Sequence, residues 1–389
     1  MEHVGAPFPT DRRARVTVTV GRRQVLGYRT VVHGLLRDTK DPVRLDVLDL
    51  GVQDTNVSSA RLALAARLSG SYGDPLADPD FTLLWSFRGA PHLHRTKDLP
   101  ALASHLWPIS DADAIARLAA ERKPLKAAGI GGSEAFTTAS RAMRAVVRTS
   151  MPKGELSAAM TERLPEAYSY QCRSCQTTHV YGGLFQLVGP FAGVRLVPDQ
   201  ASTTVAPLTD RGEIPPPVTG PDQLIRAYLR LHGPATLSEA ASYLGTSPAA
   251  IRAAWPDDLA EVQVDGRTAW LPPGQLDLLR NPPPAADVVR LLPPSDPYLQ
   301  ARDRDLLVPD KTRQKAVWRI LANPGAIVVD GEVVGLWRAK RAGRSRLDIT
   351  LQPFAELAGD RRTALEEEAE VVAAVRGASD VRVRYEDAR

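Results

Sequence analysis

The sequence predicts an α+β fold. Three observations carry that prediction. Residues 221–273 hold three short helix patterns and then a hairpin signal. Residues 22–94 repeat the same order. The last hundred residues alternate strand patterns with two helix patterns. Three helices followed by a β-hairpin is the order of a winged helix, a helix-turn-helix variant. The chain therefore reads as tandem winged-helix units followed by a small β-rich α+β domain.

Residues 1–15 read as a flexible basic arm. The first unit, 16–108, takes helices over about 22–36, 43–50 and 60–68, with Ser58-Ser59 as the third helix's cap. Phe81–Phe87 and Ala90–His94 supply its hairpin. Residues 109–214 read as a modified winged helix, with helices over 133–149 and 152–164 and a Cys-containing loop. Residues 215–281, opened by Pro215-Pro216-Pro217, give the cleanest pattern. One helix ends at His232-Gly233-Pro234. A second is capped by Thr236 with Glu239 at the capping-box position. Gly245-Thr246 makes the tight turn, and Ser247-Pro248 opens a third helix running to about Trp255. Asp265-Gly266 suits a type I′ hairpin turn. Residues 282–389 form the C-terminal domain, with strands at 288–292, 326–329, 333–339, 346–351 and 380–385 and helices at 311–320 and 363–376.

The chain has 389 residues, with 49 basic against 45 acidic side chains, so a net charge of +4 permits a nucleic-acid partner without demanding one. Of the basic residues 41 are Arg, which a GC-rich genome alone would produce. Two cysteines exclude a disulfide framework. No apolar run is long enough to span a bilayer, and the N-terminus lacks a signal peptide's apolar core, so the expectation is a cytoplasmic protein without a membrane partner.

Several segments, in order along the chain, resemble the winged-helix DNA glycosylases of the AlkZ and YcaQ type. They are Leu50-Gly51-Val52-Gln53-Asp54-Thr55 with Ser59-Ala60-Arg61-Leu62, then Arg88-Gly89-Ala90-Pro91-His92-Leu93. Further on come Leu292-Pro293-Pro294-Ser295-Asp296-Pro297-Tyr298, followed by Arg302-Asp303-Arg304, and the hairpin from Val328 to Trp337. The resemblance implies a C-shaped monomer around a basic channel, a duplex DNA partner and a nucleoid-associated location. It implies hydrolysis of the N-glycosidic bond of an alkylated, N7-alkylpurine type base, with no cofactor required. The family's catalytic motif is Gln-x-Gln, or Gln-x-Asp in one branch. Gln53 aligns with its first member, and Thr55 stands at the second. The cationic base leaves readily, so the protein need only place water and stabilise an oxocarbenium-like centre. Gln53, Thr55 and Asp54 are the catalytic candidates. The alternative is a non-catalytic DNA-binding or scaffold protein whose motif has been lost, with Asp54 and Thr55 only capping the following turn.

Arg338, Lys340, Arg341, Arg344 and Arg346 crowd one hairpin with no acid between them, a pattern suited to phosphate or minor-groove contact. Arg141, Arg144 and Arg148 fall at i, i+3 and i+7, as a basic helical stripe. Either group could instead be solvated surface. Arg252 sits among small apolar residues, so the third helix of 215–281 is no base-reading helix. His92 and Asp296 are further candidates, the histidine more often a core residue. Cys172-x-x-Cys175-x-x-x-His179 has the spacing of a structural zinc site short of its fourth ligand; two free thiols or a redox pair are the alternatives.

Overall fold

The computed structural model describes residues 18–56, 58–118, 121–284, 287–319 and 321–386. The expected arm, 1–15, lies outside them. The architecture is mixed α+β, with several small sheets and one larger one. No described helix is long and apolar enough to cross a membrane.

Strand β1 (Val18–Val20) leads into helix α1 (Arg22–Val32). Helix α1 was expected to join the hairpin at 81–94. It packs elsewhere, because it is buried on every side from Val25 to Thr30. Val25 and Tyr28 meet Val262, Val264 and Leu271, while Leu26 meets Leu292 and Tyr298. The helix expected over 43–50 is two 3-10 turns, Pro42–Arg44 and Asp46–Asp49. The Arg95 guanidinium donates to the carbonyls of Val43 (2.6 Å) and Leu45 (2.8 Å), which an α-helix would need for itself.

Strand β2 (Val52–Gln53) precedes helix α2 (Ser59–Ala65). Strands β3 (Phe81–Trp85) and β4 (Pro91–Arg95) form the expected hairpin, and β2 adds to its far side in the order β2-β4-β3. Helices Gly132–Val146 and Lys153–Arg163 follow. Short strands β5 (Met151–Pro152), β8 (Val194–Val197) and β9 (Thr204–Pro207) make one sheet. Strands β6 (Ser169–Cys172) and β7 (Thr177–Val180) make a separate hairpin. One apolar core runs from Leu45 to Leu259, across the expected junctions near 108 and 214.

Helices Asp222–His232 and Leu237–Leu244 lie where the pattern put them, with the Thr236–Glu239 capping box formed. The third helix is shorter than expected, Pro248–Ile251, and runs into a 3-10 turn. Asp265 and Gly266 take the positive φ values that a type I′ turn needs, between β10 (Ala260–Val264) and β11 (Arg267–Leu271). Strand β1 pairs in parallel with β10, Val18 beside Val262.

The C-terminal sheet holds β12 (Val289–Leu292), β13 (Gly325–Val329), β14 (Glu332–Ala342), β15 (Arg346–Pro353) and β16 (Asp380–Tyr385), in that order. Helix Gly359–Val375 covers one face, burying Leu365, Ala369 and Val372 against Ile349 and Leu351.

Ion pairs lock the two ends of the chain together. Arg67 and Asp296 form a fully buried two-pronged pair at 2.9 and 2.7 Å. Arg29 holds Asp303 in the same way at 3.0 and 2.6 Å. Glu368 takes both guanidinium nitrogens of Arg37, with Arg290 alongside at 3.7 Å.

These burials have measurable effects on stability. Asp296→Ala leaves the Arg67 charge buried and unpaired, and should lower unfolding stability by about 3–5 kcal/mol. The double change Arg67→Met, Asp296→Leu should cost clearly less, as read by urea denaturation. A pH effect is expected as well. His33, His92, His94 and His232 are buried, and burial pushes each pKa down, His94 to about 3. Unfolded histidine titrates near 6.5, so this stability is complete above that pH and is lost as pH falls toward the folded values. Each histidine should cost about 1 kcal/mol between pH 7 and 5.5, which the urea midpoints at the two pH values would measure.

Candidate active site and DNA-facing surface

Gln53 owes its place to strand pairing. Strand β2 is only two residues long and sets Gln53 opposite His92 on β4. Gly51, just before it, has φ +72, and a Cβ there would stand 2.4 Å from the His94 ring, so only glycine fits. The Gln53 amide is fixed from both sides. Its Nε2 donates to Thr55 Oγ1 at 2.6 Å, and its Oε1 accepts from Gln300 Nε2 at 3.3 Å. Thr55 is exposed.

The structure separates Asp54 from this pair. Its Oδ1 accepts from the backbone N–H of Ala60 (2.9 Å) and from Ser59 Oγ (3.2 Å), so it caps helix α2. Burial raises its pKa in spite of these bonds. Of the three catalytic candidates, Gln53 and Thr55 come together and Asp54 points into the helix.

Gln53 lies at the edge of a cavity of about 240 Å³, whose lining includes Arg88, Gln300, Arg302, Arg304 and Trp318. None of these was singled out in the sequence, although three fall in segments that carried the resemblance. Gln300 reaches Gln53 across 247 positions of chain, a separation no local pattern reveals. His92 pairs with Gln53 across the strands and is not among the residues that line the cavity. Ser86 Oγ sits between the two rings, 2.9 Å from His92 Nδ1 and 3.0 Å from His94 Nε2. Both rings are core groups, buried and held neutral. Asp296 is likewise buried, held by Arg67 and capping the turn Pro297–Gln300 through Tyr298 N.

The basic hairpin β14–β15 divides between two faces of its sheet. Lys340 pairs with Asp348, and Asp348 with Arg382 of β16, so these three share a face. Arg338, Thr350 and Arg384 make the next row. Arg346 is on the same face and ion-pairs with Asp348 at 3.1 Å. Arg382 and Arg384 extend the exposed basic face to the sheet edge; the alternation Val381-Arg382-Val383-Arg384 was the available signal. Arg341 points the other way, donating to the carbonyls of Arg344 and Arg376, and Arg344 is exposed at the turn.

The expected stripe of Arg141, Arg144 and Arg148 is broken. The helix ends at Val146, and the exposed Arg148 lies beyond it. Arg144 donates to the carbonyls of Phe191 (2.7 Å), Ala192 (3.1 Å) and Gly212 (2.6 Å), so its guanidinium ties loops together. Arg141 donates to Ile214 at 3.3 Å.

Cys172, Cys175 and His179 do converge, at the tip of the β6–β7 hairpin. Their ligand atoms all lie within 4.8 Å of one another, and no fourth His, Cys, Asp or Glu joins them among the described residues. Cys175 Sγ is 2.9 Å from His179 Nε2. A hydrogen bond with Ser174, then contacts with Cys175, lower the Cys172 thiol pKa to about 6, which favours the thiolate that a metal would bind.

A curated protein of Streptomyces sahachiroi, described as an interstrand DNA cross-link repair glycosylase, is 32% identical over 186 residues. That match covers 45% of this chain and about half, 48%, of the relative. The solved structure of the Streptomyces sahachiroi DNA glycosylase AlkZ superimposes with a TM-score of 0.71 at 23% identity, over 95% of this chain and 100% of that one. A family model described as DNA glycosylase AlkZ-like matches residues 47–375. The chain belongs to the AlkZ-like DNA glycosylase family.

Proposed function

We propose that the chain binds duplex DNA and hydrolyses the N-glycosidic bond of an alkylated purine, including purines joined in cross-links. The observation that carries this reading is the Gln53 amide, held from both sides at the edge of an open cavity and hydrogen-bonded to an exposed hydroxyl. An N7-alkylpurine is cationic, so cleavage of its bond to C1′ releases a neutral base and needs little acid help. The bonding pair of C1′–N9 goes to the purine, a water oxygen bonds C1′, and the water's spare proton passes to solvent. Gln53 and Thr55 orient that water. No step uses a cofactor.

The helix–hairpin groups are read as winged helices and the whole as a C-shaped monomer, working on the nucleoid in the cytoplasm. The face carrying Arg338, Lys340, Arg346, Arg382 and Arg384, with Arg344 at the tip, would hold the DNA backbone. Thr55 in place of the motif's second amide or acid favours the second reading, a DNA-binding protein without catalysis.

A duplex with one N7-methylguanine separates the two. The protein should leave an abasic site in the presence of EDTA. Gln53→Ala should slow excision by about 10²-fold, and Thr55→Val by less. Duplex binding without excision across several N7-alkylated and cross-linked duplexes would establish the non-catalytic reading.

The β6–β7 hairpin is read as a structural zinc clasp. The base of the hairpin packs on helix Lys153–Arg163 through Val180, and a metal would hold the exposed tip. Metal analysis should find one zinc per chain, lost in Cys172→Ser, with excision retained. Thiols that titrate freely in metal-replete protein, without bound zinc, would remove the clasp.

A further inference from the structure

The cavity beside Gln53 has an unusual charge. Three guanidiniums line it: Arg88 from the turn between β3 and β4, and Arg302 and Arg304 from the segment after Pro297–Gln300. No Asp or Glu is among its lining residues. Elsewhere in this protein a buried arginine meets a carboxylate, as Arg29 meets Asp303 and Arg67 meets Asp296. Among the described residues these three make only neutral contacts. Arg88 donates to the Tyr243 carbonyl and to Gln300 Oε1 and lies 4.9 Å over the Tyr243 ring. Arg304 lies 4.9 Å over Trp318. The Nε of Arg302 is buried with no hydrogen-bond partner.

Arg88 and Arg302 are half-buried and Arg304 is exposed, and like charges brought together in this way repel unless an anion joins them. Burial, and after it the Arg302 charge, bring the Arg88 guanidinium down to about 10, and the same two causes lower Arg304. The volume, about 240 Å³, is below the roughly 300–1,000 Å³ of sites that enclose a drug-sized molecule, so it suits a group and not a whole nucleotide. The charge excludes the cationic alkylpurine, which three guanidiniums would repel. What remains of a nucleotide is its phosphate.

We propose that this cavity is a phosphodiester-binding site, in which Arg302 and Arg304, backed by Arg88, grip one backbone phosphate of the bound DNA. The inference rests on the DNA-binding part of the proposed function and not on catalysis. Arginine supplies the planar fork that matches two phosphate oxygens, and the free Nε–H of Arg302 gives one prong. Gln300 links the grip to the chemistry, since it contacts Arg88 on one side and Gln53 on the other. A phosphate held here would set the glycosidic bond of the same nucleotide, only a few bonds away, within range of Gln53 and Thr55.

The test uses binding, so a failure of excision leaves it intact. Fluorescence anisotropy with an unmodified duplex, over a range of salt, compares the protein with the Arg302→Gln, Arg304→Gln double variant. The variant should bind about tenfold more weakly at fixed salt, and its log–log salt slope should fall by about 0.9. A duplex carrying a neutral methylphosphonate at successive linkages should weaken the wild type at one linkage by a similar factor and leave the variant indifferent there. Removing mutually repelling charges should leave the melting temperature unchanged or higher, and inorganic phosphate should raise it in the wild type only. Unchanged DNA affinity and salt slope in the variant would overturn the proposal. A phosphate-induced shift without any DNA effect would assign the cavity to a free anion and overturn it equally. Should the variant fail to fold, a methylphosphonate scan of the wild type that finds no sensitive linkage would overturn it as well.

Discussion

The contact on which the molecule most depends is the buried pair of Arg67 and Asp296. Arg67 lies just past the end of helix α2, which follows the Gln53 segment. Asp296 opens the turn that carries Gln300. Their two parallel hydrogen bonds join positions 229 residues apart. Two-pronged geometry fixes angle as well as distance, which a single bond would not. The Gln53–Gln300 contact is therefore set by a strut that touches neither residue. Desolvating both charges is expensive, and an apolar pair could stabilise as well. What an apolar pair could not supply is direction.

Neighbouring pairs repeat the device. Arg29 joins helix α1 to Asp303, one residue from each of two cavity arginines. Arg37 joins the loop after α1 to Glu368 on the helix that covers the C-terminal sheet. All three place an arginine of the N-terminal segment against a carboxylate of the C-terminal one. The chain's ends are thereby brought to one place, and the cavity forms where they meet. Among the described residues its arginines meet no carboxylate, in a region where Arg29, Arg37 and Arg67 each do, and that contrast is the physical mark of a site suited to an external anion.

Much of the fold was legible because its signals are local. Thr236 and Glu239 cap a helix through bonds three residues apart, and Asp265-Gly266 and Asp330-Gly331 adopt the turn geometry their φ preferences dictate. The alternating strands at 346–351 and 380–385 face as their pattern requires. What failed was decided at long range. Helix α1 left the expected unit because it is buried on every side, Arg29 included through its pair with Asp303, and β1 found a partner at Val262. The helix at 43–50 gave way to Arg95, fifty residues on. The site divides in the same manner. Gln53 was visible through an ordered resemblance, and the capping role of Asp54 through its position before α2. Gln300 was invisible, because its meaning depends on a partner the chain brings in only after folding.

The serine between two histidines has a consequence of its own. His92 Nδ1 lies 2.9 Å from both the Ala90 carbonyl and Ser86 Oγ, and a carbonyl can only accept. The proton of neutral His92 therefore sits on Nδ1 and is shared by these two oxygens. Ser86, already accepting there, is free to give its own proton to His94 Nε2, which leaves the His94 proton on Nδ1. Each ring thus adopts one tautomer, and the protons follow a single sense from His92 through Ser86 to His94. Beside the strand that holds the Gln53 amide, these three groups form a hydrogen-bonded relay with one proton order, neutral throughout because burial lowers both histidine pKa values.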